Sequence, residues 1–384
     1  MDYKHLLTPD IQTFITAQAD SDVRTLALKK PPNPDWPYPI ILDQIKTRQK
    51  AKIKAPQLLE TPNWVFPAHN VFEQASSTAT ALFKASLIKA NSFTDLTGGA
   101  GIDSWAFAQT TKNGTVIDAD ETNAALLAHN LPIPAHHTTA EEFAPTMQPV
   151  DLTLIDPQRR TKKQKGLYRF EDCSPNILEL LPHIKSKTIM IKASPMMDIE
   201  QGLAALPNTS DIYVIEHAGE CKELLFILKK EPTTPTIHAV NIDKNGHPTH
   251  KLSFTSEEEK SATCQISAPQ QYLYEPGPAF LKSGAYKTIA ARYNLAKLHQ
   301  HTHLYTSDTP LKNFPGRIFE IINTYPVQAK VLPFTRANLT TRNFPQSVET
   351  LRKKLKLKDG SNDYLFACTL NTGKHALLHC NKIS

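Results

Sequence analysis

DLTGGAGID, residues 95–103, is flanked by an apolar run that ends in Asp95 and by an amphipathic SWAFAQTT, so it reads as strand, side-chain-poor turn and helix. Gly99 and Gly101 let backbone come close to a bound nucleoside, and in doubly wound sheets the carboxyl edge of the strands is where nucleotide-like ligands sit. A dinucleotide fingerprint needs GxGxxG, but Ser104 stands where its third glycine belongs, and no Gly-Lys-Ser/Thr follows to make a triphosphate loop. S-adenosylmethionine fits better. It has no pyrophosphate and presents a zwitterionic amino acid, whose ammonium an acidic strand end can take. The expected donor site is therefore Asp95 with Thr97, Gly98, Gly99 and Gly101.

The next strand, TVID, ends in Asp118, 23 residues after Asp95. A carboxylate there either accepts from both ribose hydroxyls or caps the helix begun by TNAALL. Glu141 and its neighbour Glu142 are candidates for the adenine contact, with a solvated helix start as the alternative.

Working outward, SFTDL, GTVID, DLTLID, KTIMIKA, SDIYVIE and LLFIL are strand candidates with helix-like stretches between several of them, which predicts a mostly parallel sheet covered on both faces. Residues 71–90 repeat apolar or small side chains at helical spacing. IHAVNIDKNGHPTHKLSF (237–254) holds an Asn-Gly between two alternating runs and reads as a hairpin. The expected organisation is an N-terminal helical region (1–70, with the proline-rich PPNPDWPYP), a Rossmann-like domain (71–265) and an α+β module (270–384). In the last, YKTIAARYNLAKL (286–298) and PQSVETLRKKLKL (345–357) read as helices, and DYLFACTL and KHALLHC as strands.

DLTLIDPQRR (151–160) resembles the (D/N)PP(Y/F) signature of enzymes that methylate exocyclic amines of nucleobases. Such an amine has its lone pair delocalised into the ring, so attack on a sulfonium methyl requires acceptors that hold its N–H groups. The Asp156 carboxylate and the Pro157 carbonyl suit that task, with alignment and electrostatics carrying the rate and no metal needed. Arg159 and Arg160 replace the second proline and its aromatic; a guanidinium stacks on a base or clamps a phosphate. Lys162, Lys163, Lys165 and Arg169 continue a basic rim, and a second basic run spans 352–358, both suited to RNA. Lys192 and Ser194 follow the fifth strand at the same edge, as substrate contacts or as a structural turn.

The chain's 384 residues and 40% hydrophobic content are those of a globular protein of more than one domain. Its start, MDYKHLLTPD, lacks the pattern of a signal peptide, so a cytoplasmic location is expected. Five dispersed cysteines indicate neither disulfides nor zinc, and the HQHTH tract (299–303) reads as an exposed loop rather than a metal site.

Several further stretches carry a resemblance to a known family: EQASS (73–77), YRFEDCSPNIL, IKASPMMD (191–198), ECKELL (220–225), YEPGPAFLKSGAY (274–286) and NLTTRNFPQSVETLRKKLKLKDGSNDYLF (338–366). With DLTGGAGID and DPQRR they resemble, over nearly the whole length, bacterial class I S-adenosylmethionine-dependent methyltransferases with a C-terminal THUMP-like domain. That resemblance implies a Rossmann-like sheet, an N-terminal helical region, a ferredoxin-like/THUMP-like module, S-adenosylmethionine as cofactor, and tRNA or rRNA as partner. The rivals are an RNA-binding protein without turnover and a small-molecule methyltransferase.

Overall fold

The structure, a computed structural model, describes residues 3–159, 169–360 and 362–383. The chain divides into two compact units. The first holds residues 1–218, 222–233 and 242–249, and the second holds 219–221, 234–241 and 250–384.

In the first unit, α1 (Pro9–Ala17) and α2 (Tyr38–Lys54) bury Ile11, Ile15, Ile41 and Ile45 in one apolar cluster with Val65 and Leu126. Prolines sit in the first turn of both helices, where a missing N–H costs nothing. The proline-rich stretch thus separates two helices rather than breaking one. α3 (Thr78–Leu87) follows, its N-terminus capped by Ser77.

Seven strands then build the sheet of this unit: β1 (Ser92–Asp95), β2 (Asn113–Asp118), β3 (Ala135–His137), β4 (Val150–Ile155), β5 (Ser186–Ala193), β6 (Thr209–His217) and β7 (Glu220–Lys229). Their order is β6-β7-β5-β4-β1-β2-β3. β1 pairs in parallel with both β2 and β4, so the chain reverses its direction of growth between β1 and β4. That reversal opens the crevice in which such sheets bind ligands. β4 pairs in parallel with β5, and β7 runs antiparallel to β5. Helices α4 (Ile102–Ala108) and α5 (Glu121–Asn130) follow β1 and β2. The fold is α/β, as the alternation of apolar runs predicts.

Strands β8 (Thr236–Ile242) and β9 (Pro248–Thr255) form the hairpin expected at Asn245-Gly246. Gly246 has φ +81, and a Cβ there would lie 2.6 Å from the Ala79 carbonyl oxygen on α3.

The second unit contains a seven-stranded sheet made of β10 (Tyr272–Pro276), β11 (Ala296–His299), β12 (Thr302–Ser307), β13 (Gly316–Tyr325), β14 (Asn338–Arg342), β15 (Asp363–Thr369) and β16 (His375–Lys382). The order is β11-β12-β10-β13-β16-β15-β14, antiparallel except for β14 with β15. The helix read over 286–298 is corrected here. α6 runs only over Tyr286–Tyr293 and stops at Asn294, which takes the left-handed conformation (φ 51) and turns the chain into β11. α7 (Val348–Leu355) starts at the Ser347 cap, buries Leu351 and Leu355, and exposes Lys353 and Lys354. No helix among the described residues is long and apolar enough to cross a membrane.

Candidate active site

The glycine loop is closed from below and open above. Gly98 N–H donates to the Ile117 carbonyl at 2.8 Å and Gly101 N–H to the Gly98 carbonyl at 2.8 Å, which ties the turn to β2. A Cβ on Gly98 would sit 2.5 Å from Leu127 Cδ1 and 2.6 Å from Val116 Cγ2, so the loop lies directly on the apolar layer beneath it. Gly99 (φ +52) and Gly101 (φ +78) adopt backbone that other residues take only with strain. A Cβ built on Gly99 would meet nothing beyond its chain neighbours closer than the Thr97 carbonyl oxygen at 3.8 Å, which leaves bare backbone facing free space.

Three sequence-distant carboxylates converge on this loop. Asp95, 3% exposed, accepts the Ser104 hydroxyl at 2.6 Å and the Thr97 N–H at 3.0 Å. Thr97 Oγ1 in turn accepts the Asp156 N–H at 2.6 Å, which fastens the glycine loop to the Asp-Pro motif 59 residues on. Asp118 accepts the Gly99 N–H at 2.7 Å and the Asp120 N–H at 2.8 Å. The helix cap considered for Asp118 belongs instead to Asp120, whose side chain accepts from Asn123 N–H at 2.9 Å.

Beside the loop lies a network of charges on five elements. Lys84 of α3, 2% exposed, reaches Asp103 at 2.8 Å and Glu223 of β7 at 3.0 Å, and donates to Ser76 at 2.7 Å. Lys192 of β5 contacts Asp156 at 2.5 Å and donates to the same Ser76 at 3.3 Å. A cavity of about 20 Å³, room for one water molecule, lies among Lys84, Asp95, Asp103, Asp156 and Lys192, with Phe107 and Leu225 on its apolar side.

Four carboxylates (Asp95, Asp103, Asp156, Glu223) thus face two ammonium groups. Burial pushes the Asp95 carboxyl up to about 7, its hydrogen bonds from Ser104 and Thr97 only partly offsetting the lost solvation, with Asp103 and Asp156 adding repulsion. Burial also opposes the charge on Lys192, but Asp156, Glu223 and Asp103 override it and hold the ammonium above its ordinary value. Asp103 faces the same burial penalty and is nevertheless held low by Lys84 and Lys192. A site with surplus acidity, one member of it poised near neutrality, accommodates a cation better than an anion.

Comparison with known structures places this arrangement. A crystal structure of a candidate methyltransferase from Porphyromonas gingivalis W83 is 30% identical to this chain, with a TM-score of 0.87 and complete coverage (100%) of both chains. The chain belongs to that family. It joins a class I methyltransferase fold to a C-terminal ferredoxin-like domain, matched at residues 272–315, and a THUMP-like domain, matched at 316–382. An rRNA methylase from Streptococcus thermophilus is similar at 16% identity and TM-score 0.29, over 40% of this chain and 94% of that one. A candidate SAM-dependent methyltransferase from Streptococcus mutans is similar at 12% identity and TM-score 0.30, over 40% of this chain and 47% of that one. Likenesses at that level carry nothing about substrate. No curated protein matches the chain.

In this methyltransferase-fold protein, Asp95, Thr97, Gly98, Gly99, Gly101, Asp118, Asp156 and Lys192 come together at one edge of the sheet. Pro157 is buried directly after Asp156. Glu141 stands exposed in the first turn of the short helix Ala140–Phe143, while Glu142 closes a capping box with Thr139. Gln158–Arg159 pairs antiparallel with Cys173–Ser174. Arg160, Lys162, Lys163 and Lys165 lie outside the described residues.

Sequence reasoning missed Ser76, Lys84, Asp103 and Glu223. Ser76 and Glu223 fall inside EQASS and ECKELL, stretches quoted only for their resemblance. No local signal marks four residues from 76 to 223 as one cluster, since each alone reads as an ordinary helix or strand polar residue.

Proposed function

We propose that the chain is a methyltransferase that uses S-adenosylmethionine to methylate an exocyclic amine of a base in RNA. The observation that carries this reading is the Thr97 hydroxyl, which joins the glycine loop to Asp156 and so sets a nucleoside-type cradle beside an amine-holding carboxylate. The residues present fit the donor. Bare backbone over Gly99 gives a nucleoside close approach, Asp118 has oxygen lone pairs left for ribose hydroxyls after its two backbone bonds, and the acidic surplus suits a sulfonium and an ammonium. Asp95 and the 97–101 loop would hold the amino-acid end of the donor and Asp118 its ribose; Glu141 is the candidate for the adenine end.

When bound, the donor supplies a methyl group already electrophilic on a sulfonium, whose departure as a neutral thioether requires no acid. The protein's part is positioning. Asp156 Oδ2 is held by Lys192, and Oδ1, which takes no partner among the described residues, is left to accept an N–H of the target amine. That contact localises the nitrogen lone pair, and the carboxylate receives the proton released as the new N–C bond forms. With Pro157 it makes the reacting edge; Arg159, Arg160 and the lysines after them are the proposed guides for the RNA, as is the basic face of α7. Support for RNA comes from the THUMP-like domain and from that basic residue content.

Calorimetry with S-adenosylmethionine tests the cofactor assignment. Binding in the micromolar range that survives Asp156→Ala and is lost in Asp118→Ala is the expected result; no binding by the wild-type chain would refute it.

A further inference from the structure

Two of the motifs that the catalytic reading leaves unused, YEPGPAFLKSGAY and NLTTRNFPQ, meet in the second unit. Glu275 of β10 is 3% exposed, and both its oxygens are taken by arginines. Arg317 of β13, directly opposite it in the sheet, binds Oε2 through Nε at 2.7 Å and through a terminal nitrogen. Arg342, at the end of β14, binds Oε1 at 2.6 Å. One residue on, Asn343 takes a left-handed φ of 48 and brings its amide to within 3.3 Å of both His299 and Thr302. The seam therefore joins the ferredoxin-like stretch (272–315) to the THUMP-like stretch (316–382).

One carboxylate against two guanidiniums leaves a positive charge, and neither arginine is sealed in: their side chains are 42% and 35% exposed. The second terminal nitrogen of Arg317 has no partner among the described residues. Lys297 stands at the same turn, its Nζ donating to the Gln300 carbonyl at 2.7 Å. Burial, reinforced by Lys297, His301 and Arg342, pushes His303 down to about 4. An excess of guanidinium donors, pre-oriented on a buried anchor beside the 299–303 turn that Asn343 contacts, is an arrangement that phosphate recognition uses.

We propose that this seam is an anion site, in which Arg317 and Arg342, oriented by Glu275 and flanked by the 299–303 turn, receive a phosphodiester of the RNA. The assignment rests on the RNA reading above.

The test is fluorescence anisotropy of the full chain with end-labelled bulk tRNA and, separately, end-labelled rRNA over a range of KCl concentrations. The variant Arg317→Gln leaves Glu275 paired with Arg342 and takes the seam from one net positive charge to none, and His301→Glu alters only an exposed side chain. Each is expected to weaken binding by about tenfold at moderate salt, and Arg317→Gln to lower the slope of log affinity against log salt by about 0.7–0.9 for the lost phosphate contact. Wild-type binding with both variants unchanged in affinity and slope, even if Arg317→Gln melts earlier, overturns the seam and leaves the RNA reading standing. Failure of the wild-type chain to bind tRNA and rRNA overturns both.

Discussion

Lys192 Nζ lies 2.5 Å from Asp156 Oδ2, Lys192 standing on β5 and Asp156 one residue past the end of β4, its parallel neighbour. The Lys192 side chain is 16% exposed and that of Asp156 39%, so the pair forms a rim with the lysine inside and the carboxylate facing out. Lys192 reads as a positioning residue. In Lys192→Gln the carboxylate is free to rotate, and single-turnover methyl transfer at saturating donor is expected to fall about 10- to 100-fold with donor affinity nearly unchanged. An equal loss in donor affinity would show that Lys192 binds cofactor instead.

Lys84 is the inner counterpart of that rim. Its removal as Lys84→Met takes the cation from the buried Glu223 and the half-buried Asp103, and is expected to destabilise the first unit by about 3–5 kcal/mol in urea unfolding. Adding Glu223→Gln to that variant relieves half of the uncompensated charge and should recover a measurable part of the loss. A double variant less stable than the single one would contradict the network as drawn.

Asp95 gives a pH dependence whose sign can be worked out. Its carboxyl rises from an ordinary 3.8 to about 7, so between those values the folded chain holds a proton that the unfolded chain has lost. Its contribution to stability is full below the unfolded value, declines as pH rises through that window, and is flat above it. A cationic donor favours the ionised carboxylate, so donor affinity is expected to strengthen from about pH 6 to about pH 8 with proton release. Calorimetry in two buffers of different ionisation enthalpy measures that release, and Asp95→Asn should abolish it.

Gly99 and Gly98 separate ligand space from packing. Gly99→Ala meets no atom closer than 3.8 Å, so its stability cost is the left-handed backbone alone, about 1 kcal/mol, yet its methyl occupies the space proposed for the donor. At least a tenfold loss of donor affinity in a folded variant is expected. Gly98→Ala drives a methyl into Leu127 and Val116 and should cost stability, about 1–3 kcal/mol by thermal unfolding.

Periodicity made the sheet legible. Each apolar run read as a strand in the first unit is one, because central parallel strands buried on both faces are continuous in hydrophobicity. β3 gave no such signal, being three residues with only Ala135 half-buried. Tyr286–Leu298 misled because Leu295 and Leu298 keep helical spacing while Asn294 supplies the turn. The placement of Asp95, Asp118 and Asp156 at one edge of the sheet was legible because each stands at a strand end beside a recognisable motif. Lys84 and Glu223 were not, since a buried ion pair across 139 residues leaves no local trace.

The central claim is that a methyl group passes from S-adenosylmethionine to an exocyclic amine of RNA at Asp156. Incubating the chain with methyl-tritiated donor and total tRNA and rRNA, then digesting the RNA to nucleosides, tests it directly. The account predicts label in an N-methylated nucleoside with the wild-type chain and none with Asp156→Ala at equal donor occupancy. Label in small metabolites but never in RNA, or in RNA equally with both proteins, would contradict it.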